Sequence, residues 1–510
     1  MFSKVNSIGL FGMEAYMVEV EADISGGLPR FDMVGLPDTA VSESRERVRS
    51  AIKNTGLDFP LSRITMNLAP ADIRKEGPIY DLAILVSILK ATGQLKINSD
   101  EMAFLGELSL NGEVRHINGV LPMVIKAQKQ GIKEIFIPYG NIAEGAVVNG
   151  ITVYPVKNIF ALLSHFNKRA LIEPVSAKDY AEYEVPLDLP DFSDVKGQYE
   201  AKRALEVAAA GGHNVMMIGP PGSGKSMLSK RIPSILPDMT FDESLETTNL
   251  YSIAGSLPNG VSLIKSRPFR SPHHTVSPAG LSGGGAVPHP GEISLAHNGV
   301  LFLDELPEFS RTAMEVMRQP IEDGVITIAR VAATFSYPCN VMLVCAMNPC
   351  PCGYFGHPTR HCTCPSGAPA RYLSRVSGPL LDRLDIHIEV PPVDFDDLSK
   401  KIKEESSSEI KKRVNKARKI QQDRFLGSGV TCNAKMTSAM TRKYCTTTEN
   451  AAKMLKAAFE KLGLSARAYD KVLRVARTIA DLDEADIIDT KHIAEAVQYR
   501  SLDRKFWKEI

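Results

Sequence analysis

The chain has 510 residues, of which 44% are hydrophobic and 23% are charged, and its formal net charge is +1. These values are ordinary for a globular protein of roughly three domains, and they exclude an overall electrostatic attraction to nucleic acid, which would need a local patch or a pore. Glu14 and Glu19 interrupt the apolar start of the chain, so a signal peptide is not expected, and no apolar run reaches membrane-spanning length. We therefore expect a cytoplasmic protein without a membrane contact.

Residues 1–170 are predicted to form a separate α/β domain. Short β-like runs, such as 16–20 and 134–138, alternate with helical stretches, and residues 81–90 place four aliphatic side chains at helical spacing. Polar sequence that contains prolines follows at 171–190 and predicts a linker.

Two segments of this first domain resemble the protease domain of Lon and the related domain of the RadA recombination proteins. They are residues 75–81, KEGPIYD, and residues 108–138, which begin LSLNGEVRHINGVL. In active Lon-type proteases a serine follows the Gly-Pro pair and a lysine follows the glycine pair of the second motif, whereas Ile79 and Leu121 stand at those places here. Because neither aliphatic side chain can act as a nucleophile or a base, we expect a Lon-like fold that is not an active protease.

A glycine-rich motif follows the apolar run Val215–Ile218 and opens a predicted helix. A strand, such a loop and a helix in this order bind phosphate, because backbone N–H groups point inward and the helix N-terminus adds favourable partial charge. Lys225 is expected to reach the β- and γ-phosphates of ATP, and Ser226 to bind Mg²⁺. The predicted nucleotide-binding residues are Gly219, Pro220, Pro221, Gly222, Ser223, Gly224, Lys225 and Ser226.

Two later apolar runs end in polar residues that suit hydrolysis. Residues 299–303 lead into Asp304 and Glu305, where Asp304 is expected to hold Mg²⁺ and Glu305 to orient or deprotonate the attacking water. Residues 341–346 form a predicted buried strand, and Asn348 follows it at a place that resembles the AAA+ sensor, which helps to position this water. The sequence therefore predicts an ATP hydrolysis site.

The region between these motifs contains His273 and His274, and then three consecutive glycines at 283–285, which predict a mobile loop. Because neighbouring side chains rarely point the same way, a structural or substrate-facing role is favoured for the histidines over a metal site. Residues 324–335 alternate in character on both sides of Arg330, which predicts a hairpin with a basic residue near its turn.

Two close cysteine pairs follow Asn348. Four thiolates in such pairs can bind Zn²⁺ tetrahedrally, although the C-x-C spacing is tighter than the common C-x₂-C. Reduced free thiols are the main alternative, and disulfides are disfavoured in a reducing compartment. A bound zinc would stiffen a loop beside the active site. The four residues are Cys350, Cys352, Cys362 and Cys364.

Two arginines complete the predicted catalytic set. Arg383, in the segment 377–387, is expected to reach the γ-phosphate held by a neighbouring subunit, an effect worth about 10³–10⁵ in rate. The alternative for Arg383 is a salt bridge at the edge of the core. Residues 396–510 are charged and helical, and Arg467 starts one of the predicted helices, where it resembles the second γ-phosphate sensor of AAA+ ATPases. An arginine that acts on the nucleotide of a neighbouring subunit, called an arginine finger, implies an oligomeric ring.

The order of these parts resembles the magnesium-chelatase-like YifB/ComM family over essentially the whole chain. The resemblance implies an α/β fold with a Lon-protease-like (S5 domain 2-like) domain at 1–170, an AAA+ P-loop NTPase core at 191–395 and a helical lid at 396–510. The most similar stretches are RSPHH at 270–274, PGEISLAHNG at 290–299, NPCPCG at 348–353 and the segment 377–387.

Membership of this family implies a hexameric ATPase, a DNA helicase that drives branch migration during homologous recombination and aids integration of transforming DNA. Arg330 and residues 282–291 would then be pore elements that contact single-stranded or branched DNA. Two alternatives stay open: a MoxR-like chaperone that remodels proteins, and the ATPase subunit of a magnesium chelatase.

Overall fold

The computed structural model describes residues 1–175, 189–258, 260–285, 288–329, 334–357, 359–392, 404–463, 465–500 and 502. The chain divides into two compact units, Met1–Pro186 with Ser244–Ile264, and Leu187–Glu243 with Lys265–Ile510. Both units mix helices and strands, which confirms the α/β class. Residues 244–264, which the predicted boundaries placed in the ATPase core, belong to the first unit. None of the described helices has the length and apolar character that a bilayer crossing requires.

The first unit is built around one seven-stranded sheet with the order β3-β4-β2-β1-β5-β8-β9. Its strands, with a separate short pair β6 and β7, are β1 (Phe2–Phe11), β2 (Glu14–Ser25), β3 (Arg30–Val34), β4 (Arg63–Ala69), β5 (Met102–Phe104), β6 (Glu107–Leu108), β7 (Val114–Arg115), β8 (Glu134–Pro138) and β9 (Thr152–Val156). Strand β2 runs antiparallel to β1 and β4, and β5, β8 and β9 run parallel to β1. The helices of this unit include Thr39–Asn54, Asp81–Ala91, Val120–Lys129, Ile142–Gly145 and Ile159–Phe166.

The structure buries both residues that the resemblance matches to the catalytic positions of Lon-type proteases. Ile79 is 9% exposed and Leu121 is fully buried, so both side chains contribute packing and neither offers a nucleophile or a base. The nearby helix Asp81–Ala91 is buried along almost its whole length, as its run of aliphatic residues predicts. The absence of proteolytic activity stays a prediction.

The second unit contains a five-stranded sheet with the order β11-β14-β17-β10-β18, in which all neighbouring strands are parallel. The strands of this unit are β10 (Val215–Ile218), β11 (Phe269–Arg270), β12 (Gly283–Gly284), β13 (His289–Pro290), β14 (Val300–Leu303), β15 (Val325–Ala329), β16 (Thr334–Pro338), β17 (Met342–Met347) and β18 (Ile386–Glu389). Because parallel strands end at one common edge, the loops after β10, β14 and β17 meet there.

Helices cover this sheet and share its core. Among the described residues they include Tyr199–Gly211, Lys225–Ile235, Pro278–Ser282, Glu292–Leu295, Arg311–Val316, Arg318–Asp323, Ala368–Leu373, Gly378–Leu381, Ser407–Arg424, Ser438–Tyr444, Glu449–Leu462, Ala466–Leu482 and Thr490–Gln498, and Phe241–Ile253 starts in this unit and continues in the first. Side chains from Ser407–Arg424 and Ala466–Leu482 belong to the same hydrophobic cluster as the strands. The helices of the predicted lid therefore share one hydrophobic core with the five-stranded sheet.

The predicted hairpin is present as strands β15 and β16, which pair antiparallel with Ala329 opposite Thr334. Arg330, its predicted basic residue, lies outside the described residues, as does most of the predicted linker at 171–190.

Candidate active site

The glycine-rich loop joins β10 to the helix Lys225–Ile235 at the carboxyl edge of the sheet. Gly224 has φ +93°, a left-handed conformation that favours glycine, and it lies directly before the helix. A Cβ on Gly219 would lie 2.2 Å from the carbonyl oxygen of Val390, so only glycine fits beside β18. The predicted strand–loop–helix arrangement is confirmed.

Lys225 is 8% exposed and faces neutral acceptors. Its Nζ donates to the carbonyl oxygens of Gly219 at 2.7 Å and Pro220 at 2.9 Å, and to Oδ1 of Asn348 at 3.2 Å. Burial lowers the pKa of Lys225 to about 8, against a smaller opposing effect of Asp304. Because uncharged groups hold this ammonium, its charge suits an anionic ligand such as a phosphate.

Ser226 meets Asp304, which comes directly after β14. The Ser226 hydroxyl donates to Oδ2 of Asp304 at 2.6 Å, and the Glu305 backbone N–H donates to Oδ1 at 2.9 Å. A hydroxyl and a carboxylate oxygen are ligands that Mg²⁺ accepts in proteins. The loop also buries Oγ of Ser223 without a hydrogen-bond partner in the described part of the chain. These groups therefore fit a magnesium ion with a phosphate beside it.

Glu305 has a histidine neighbour that the sequence analysis did not identify. Nδ1 of His274 lies 3.4 Å from Oε2 of Glu305, whose side chain is 57% exposed. The rings of His273 and His274 lie with their centroids 4.0 Å apart, so the expectation that these neighbours point in different directions is wrong. The adjacency of the two histidines was the available signal, and a loop conformation that sequence alone does not fix brings them together.

The four cysteines of the loop after β17 form one cluster. Their Sγ atoms all lie within 4.8 Å of one another, and Cys350, Cys352 and Cys362 are separated by 3.4–3.7 Å. Tetrahedral zinc with Zn–S bonds of about 2.3 Å requires sulfur atoms about 3.8 Å apart, whereas a disulfide requires about 2.05 Å. All four cysteines are free thiols. The cluster is therefore compatible with zinc and contains no disulfide.

Backbone N–H groups face two of these sulfur atoms. Burial opposes ionisation of Cys352, but the N–H groups of Tyr354 and Thr363 lower its pKa to about 5. Burial raises the pKa of Cys350 to about 12, and the Phe355 N–H donates to its sulfur at 3.3 Å. Donors of this kind stabilise the thiolates that a metal would bind.

The cysteine loop packs against the phosphate loop. A Cβ on Gly353 would lie 2.3 Å from Cδ of Pro221, so the two loops are in close contact. Between them is a small crevice whose lining includes Gly219, Phe355 and His357. The cysteine loop therefore forms a wall of the candidate nucleotide site.

Arg383 and Arg467 lie elsewhere, in a cleft that they line together with Lys471. The lining also includes Asn214, which directly precedes β10, whereas the phosphate loop follows β10. Strand β10 has four residues, which at about 3.3 Å each separate its two ends by about 13 Å. The interpretation of Arg467 as a sensor of the nucleotide in its own chain does not fit this position.

Arg383 is already occupied within its own chain. Its Nε donates to the carbonyl oxygen of Arg318 at 2.9 Å, its Nη1 donates to that of Pro379 at 2.7 Å, and its Nη2 is paired with the carboxylate of Glu322. The structure thus brings together Lys225, Ser226, Asp304 and Asn348, with Glu305 beside them, and places the two arginines at the opposite end of the sheet.

Three family models match the chain. "Magnesium chelatase, subunit ChlI" matches residues 191–398, "Subunit ChlI of Mg-chelatase" matches residues 20–141, and "Magnesium chelatase, subunit ChlI C-terminal" matches residues 404–500. A weaker similarity connects the chain with Lon protease 1 of Hydrogenovibrio crunogenus, 26% identical over 28% of this chain and 19% of that protein.

Several curated relatives match nearly end to end. Protein YifB of Escherichia coli (strain K12) is 44% identical over 98% of this chain and 97% of its own length. Competence protein ComM of Haemophilus influenzae is 41% identical over 99% of this chain and 98% of its own length. The chain therefore belongs to the magnesium-chelatase-like YifB/ComM family.

Proposed function

We propose that this chain is an AAA+ ATP hydrolase whose site forms where the loops after β10, β14 and β17 meet. The observation that carries the proposal is the convergence of Lys225, Ser226, Asp304 and Asn348. Lys225 would bind the phosphates of ATP, and Ser226 and Asp304 would hold Mg²⁺, which neutralises charge that develops on the transferred phosphoryl group. Glu305 would accept a proton from the attacking water.

The site would be completed by a neighbouring subunit in a ring, which we propose to be a hexamer. Arg383 and Arg467 lie at the opposite end of the sheet from the phosphate loop, so a head-to-tail contact between copies would bring them to a neighbour's phosphates. An arginine supplied in this way contributes about 10³–10⁵ to the rate of phosphoryl transfer.

We propose that the ring acts in the cytoplasm as a DNA motor that promotes branch migration during homologous recombination and the integration of transforming DNA. Support comes from the similarity to a competence protein over nearly the whole chain. The hairpin β15–β16, Arg330, which follows β15 in the sequence, and residues 282–291 would contact single-stranded or branched DNA in the ring pore. A charged segment in a pore would bind DNA although the whole chain has a net charge of only +1.

The test measures ATP hydrolysis by the full-length protein with and without single-stranded and forked DNA, together with branch migration of a synthetic four-way junction. Strong stimulation and junction movement, both lost in Lys225→Ala, support the motor. Hydrolysis that no DNA stimulates, without junction movement, contradicts it.

A second candidate is the ATPase subunit of a magnesium chelatase, which the description of the matched family models favours. Such a subunit would remodel a protein partner and its ATPase would not respond to DNA. The same measurement therefore separates the two candidates.

We also propose that the cysteine cluster binds one structural zinc ion. The spacing of the sulfur atoms and the N–H donors that face them support this proposal. Elemental analysis of protein purified without chelators should give about one zinc per chain. A Cys362→Ser variant should lose most of it, and wild-type protein with no zinc would favour free thiols.

A further inference from the structure

Arg383 is held by one short helix, Arg318–Asp323. Arg318, the first residue of this helix, accepts a hydrogen bond from Nε of Arg383 through its carbonyl oxygen. Glu322, near the end of the helix, is paired with Nη2 of Arg383. The Arg383 side chain is 20% exposed, and the guanidinium makes these contacts together with the one to Pro379. To bind a phosphate of a neighbouring chain, Arg383 must release the Glu322 carboxylate, because that carboxylate would otherwise repel the phosphate.

We propose that Glu322 is a positioning residue that holds Arg383 back from the neighbouring active site until the hairpin β15–β16 is displaced. The inference rests on the proposed function of Arg383 as a finger in trans. Beyond that function, the carboxylate of Glu322 would determine whether Arg383 is free to act on the neighbouring chain.

The covalent path from Glu322 to the hairpin is short. The helix Arg318–Asp323 ends at Gly324, and β15 begins at the next residue. The end of β16 is also bonded to this helix and to the residue after it. The N–H of Cys339, which directly follows β16, donates to the carbonyl oxygen of Gly324 at 2.8 Å, and the Cys339 thiol donates to the carbonyl oxygen of Pro320 at 3.3 Å. A force on the hairpin, such as bound polymer in the pore, would therefore move the helix that carries Glu322.

The size of the effect follows from the exposure of the pair. The Glu322 side chain is 60% exposed, so the ion pair has the modest strength of a surface pair. Removing its charge should raise the fraction of free Arg383, and with it the basal rate, by about two- to fivefold, which corresponds to about 0.4–1 kcal/mol.

The experiment compares full-length Glu322→Gln with wild type at a concentration where both are assembled, as judged by light scattering. Glu315→Gln is the matched control, because Glu315 makes a surface pair with Arg311 at 3.3 Å on the preceding helix. In Glu322→Gln we expect ATP hydrolysis without DNA to rise about two- to fivefold at unchanged KM and unchanged Tm, and the factor of stimulation by forked DNA to fall correspondingly. Glu315→Gln should match wild type, and Glu322→Asp should restore part of the basal restraint.

A double variant tests whether Glu322 acts through Arg383. Glu322→Gln combined with Arg383→Ala should hydrolyse ATP no faster than Arg383→Ala alone, because no finger is left to release. A basal rate that is unchanged or lowered in Glu322→Gln, while Arg383→Ala is still inactive, overturns the restraint and leaves the proposed function standing. ATP hydrolysis at the wild-type rate by Arg383→Ala would contradict both the restraint and the proposed role of Arg383 as a finger in trans.

Discussion

Gly353→Ala tests whether the cysteine loop supports the phosphate loop. Gly353 has φ +85°, and a Cβ placed there would meet Cδ of Pro221 at 2.3 Å. Gly367 offers a matched control farther along the same segment, with φ +77° and no heavy atom within 4 Å of the added Cβ. Both substitutions therefore impose similar backbone strain, and only one of them presses on the phosphate loop.

The magnitude follows from these two terms. An L-residue in the left-handed region costs about 1–2 kcal/mol, which applies to both variants. Ordinary carbon–carbon contacts lie at about 3.5–4.0 Å, so Gly353→Ala must also open the contact by more than 1 Å, at a cost of about 1–3 kcal/mol. If nucleotide binding requires the present position of Pro221, that second cost weakens binding by about 5- to 140-fold.

The assay is titration of each variant with a fluorescent ATP analogue, with thermal unfolding measured in parallel. We expect Gly353→Ala to bind much more weakly than wild type, and Gly367→Ala to bind nearly like wild type although it is also destabilised. Equal nucleotide affinities in the two variants would refute the view that the cysteine loop positions the phosphate loop.

Three further predictions concern the site and its scaffold. Lys225→Ala and Asp304→Asn should each abolish ATP turnover, and turnover retained in either variant, measured by phosphate release, would contradict the assigned roles. Removal of the proposed zinc from the cysteine cluster by a chelator should lower nucleotide affinity in wild type and leave Cys362→Ser, which should already lack most of its zinc, nearly unaffected. Burial raises the pKa of Asp385, but Lys471 and His213 lower it overall, so its ionised form stabilises the fold at neutral pH. Asp385→Asn should therefore cost about 3–5 kcal/mol at pH 7 in chemical unfolding, and this difference should shrink as the pH falls below about 4 toward the depressed folded-state pKa; an equal loss at pH 7 and pH 3 would contradict this assignment.

The nucleotide site was predictable because its geometry is local. A strand, a glycine-rich loop and a helix place Lys225 and Ser226 whatever the rest of the chain does. The apolar strands that precede Asp304 and Asn348 run parallel to β10, so their carboxyl ends meet at one edge of the sheet. Short-range sequence patterns and one general rule of sheet topology were sufficient.

The position of Arg467 was not predictable in the same way. It depends on how the helix Ala466–Leu482 packs against the sheet, which involves contacts between residues far apart in sequence. The same limit applies to residues 244–264, which join the first unit through long-range contacts such as the Gly119 N–H donating to the Ser252 carbonyl oxygen at 3.1 Å. The same limit applies to the contact between Gly353 and Pro221, because 131 residues separate these two in the sequence and no local pattern indicates that they meet.

Mixing two inactive variants tests whether each ATP site combines the phosphate loop of one chain with Arg383 of another. Lys225→Ala retains the finger, and Arg383→Ala retains the phosphate loop. When the two are dissociated and reassembled in equal amounts, roughly a quarter of the sites should pair an intact loop with an intact finger, since each occurs in half of the chains. We expect ATP hydrolysis in the mixture to return to about that fraction of the wild-type rate, and a mixture as inactive as its two components would contradict a site shared between two chains.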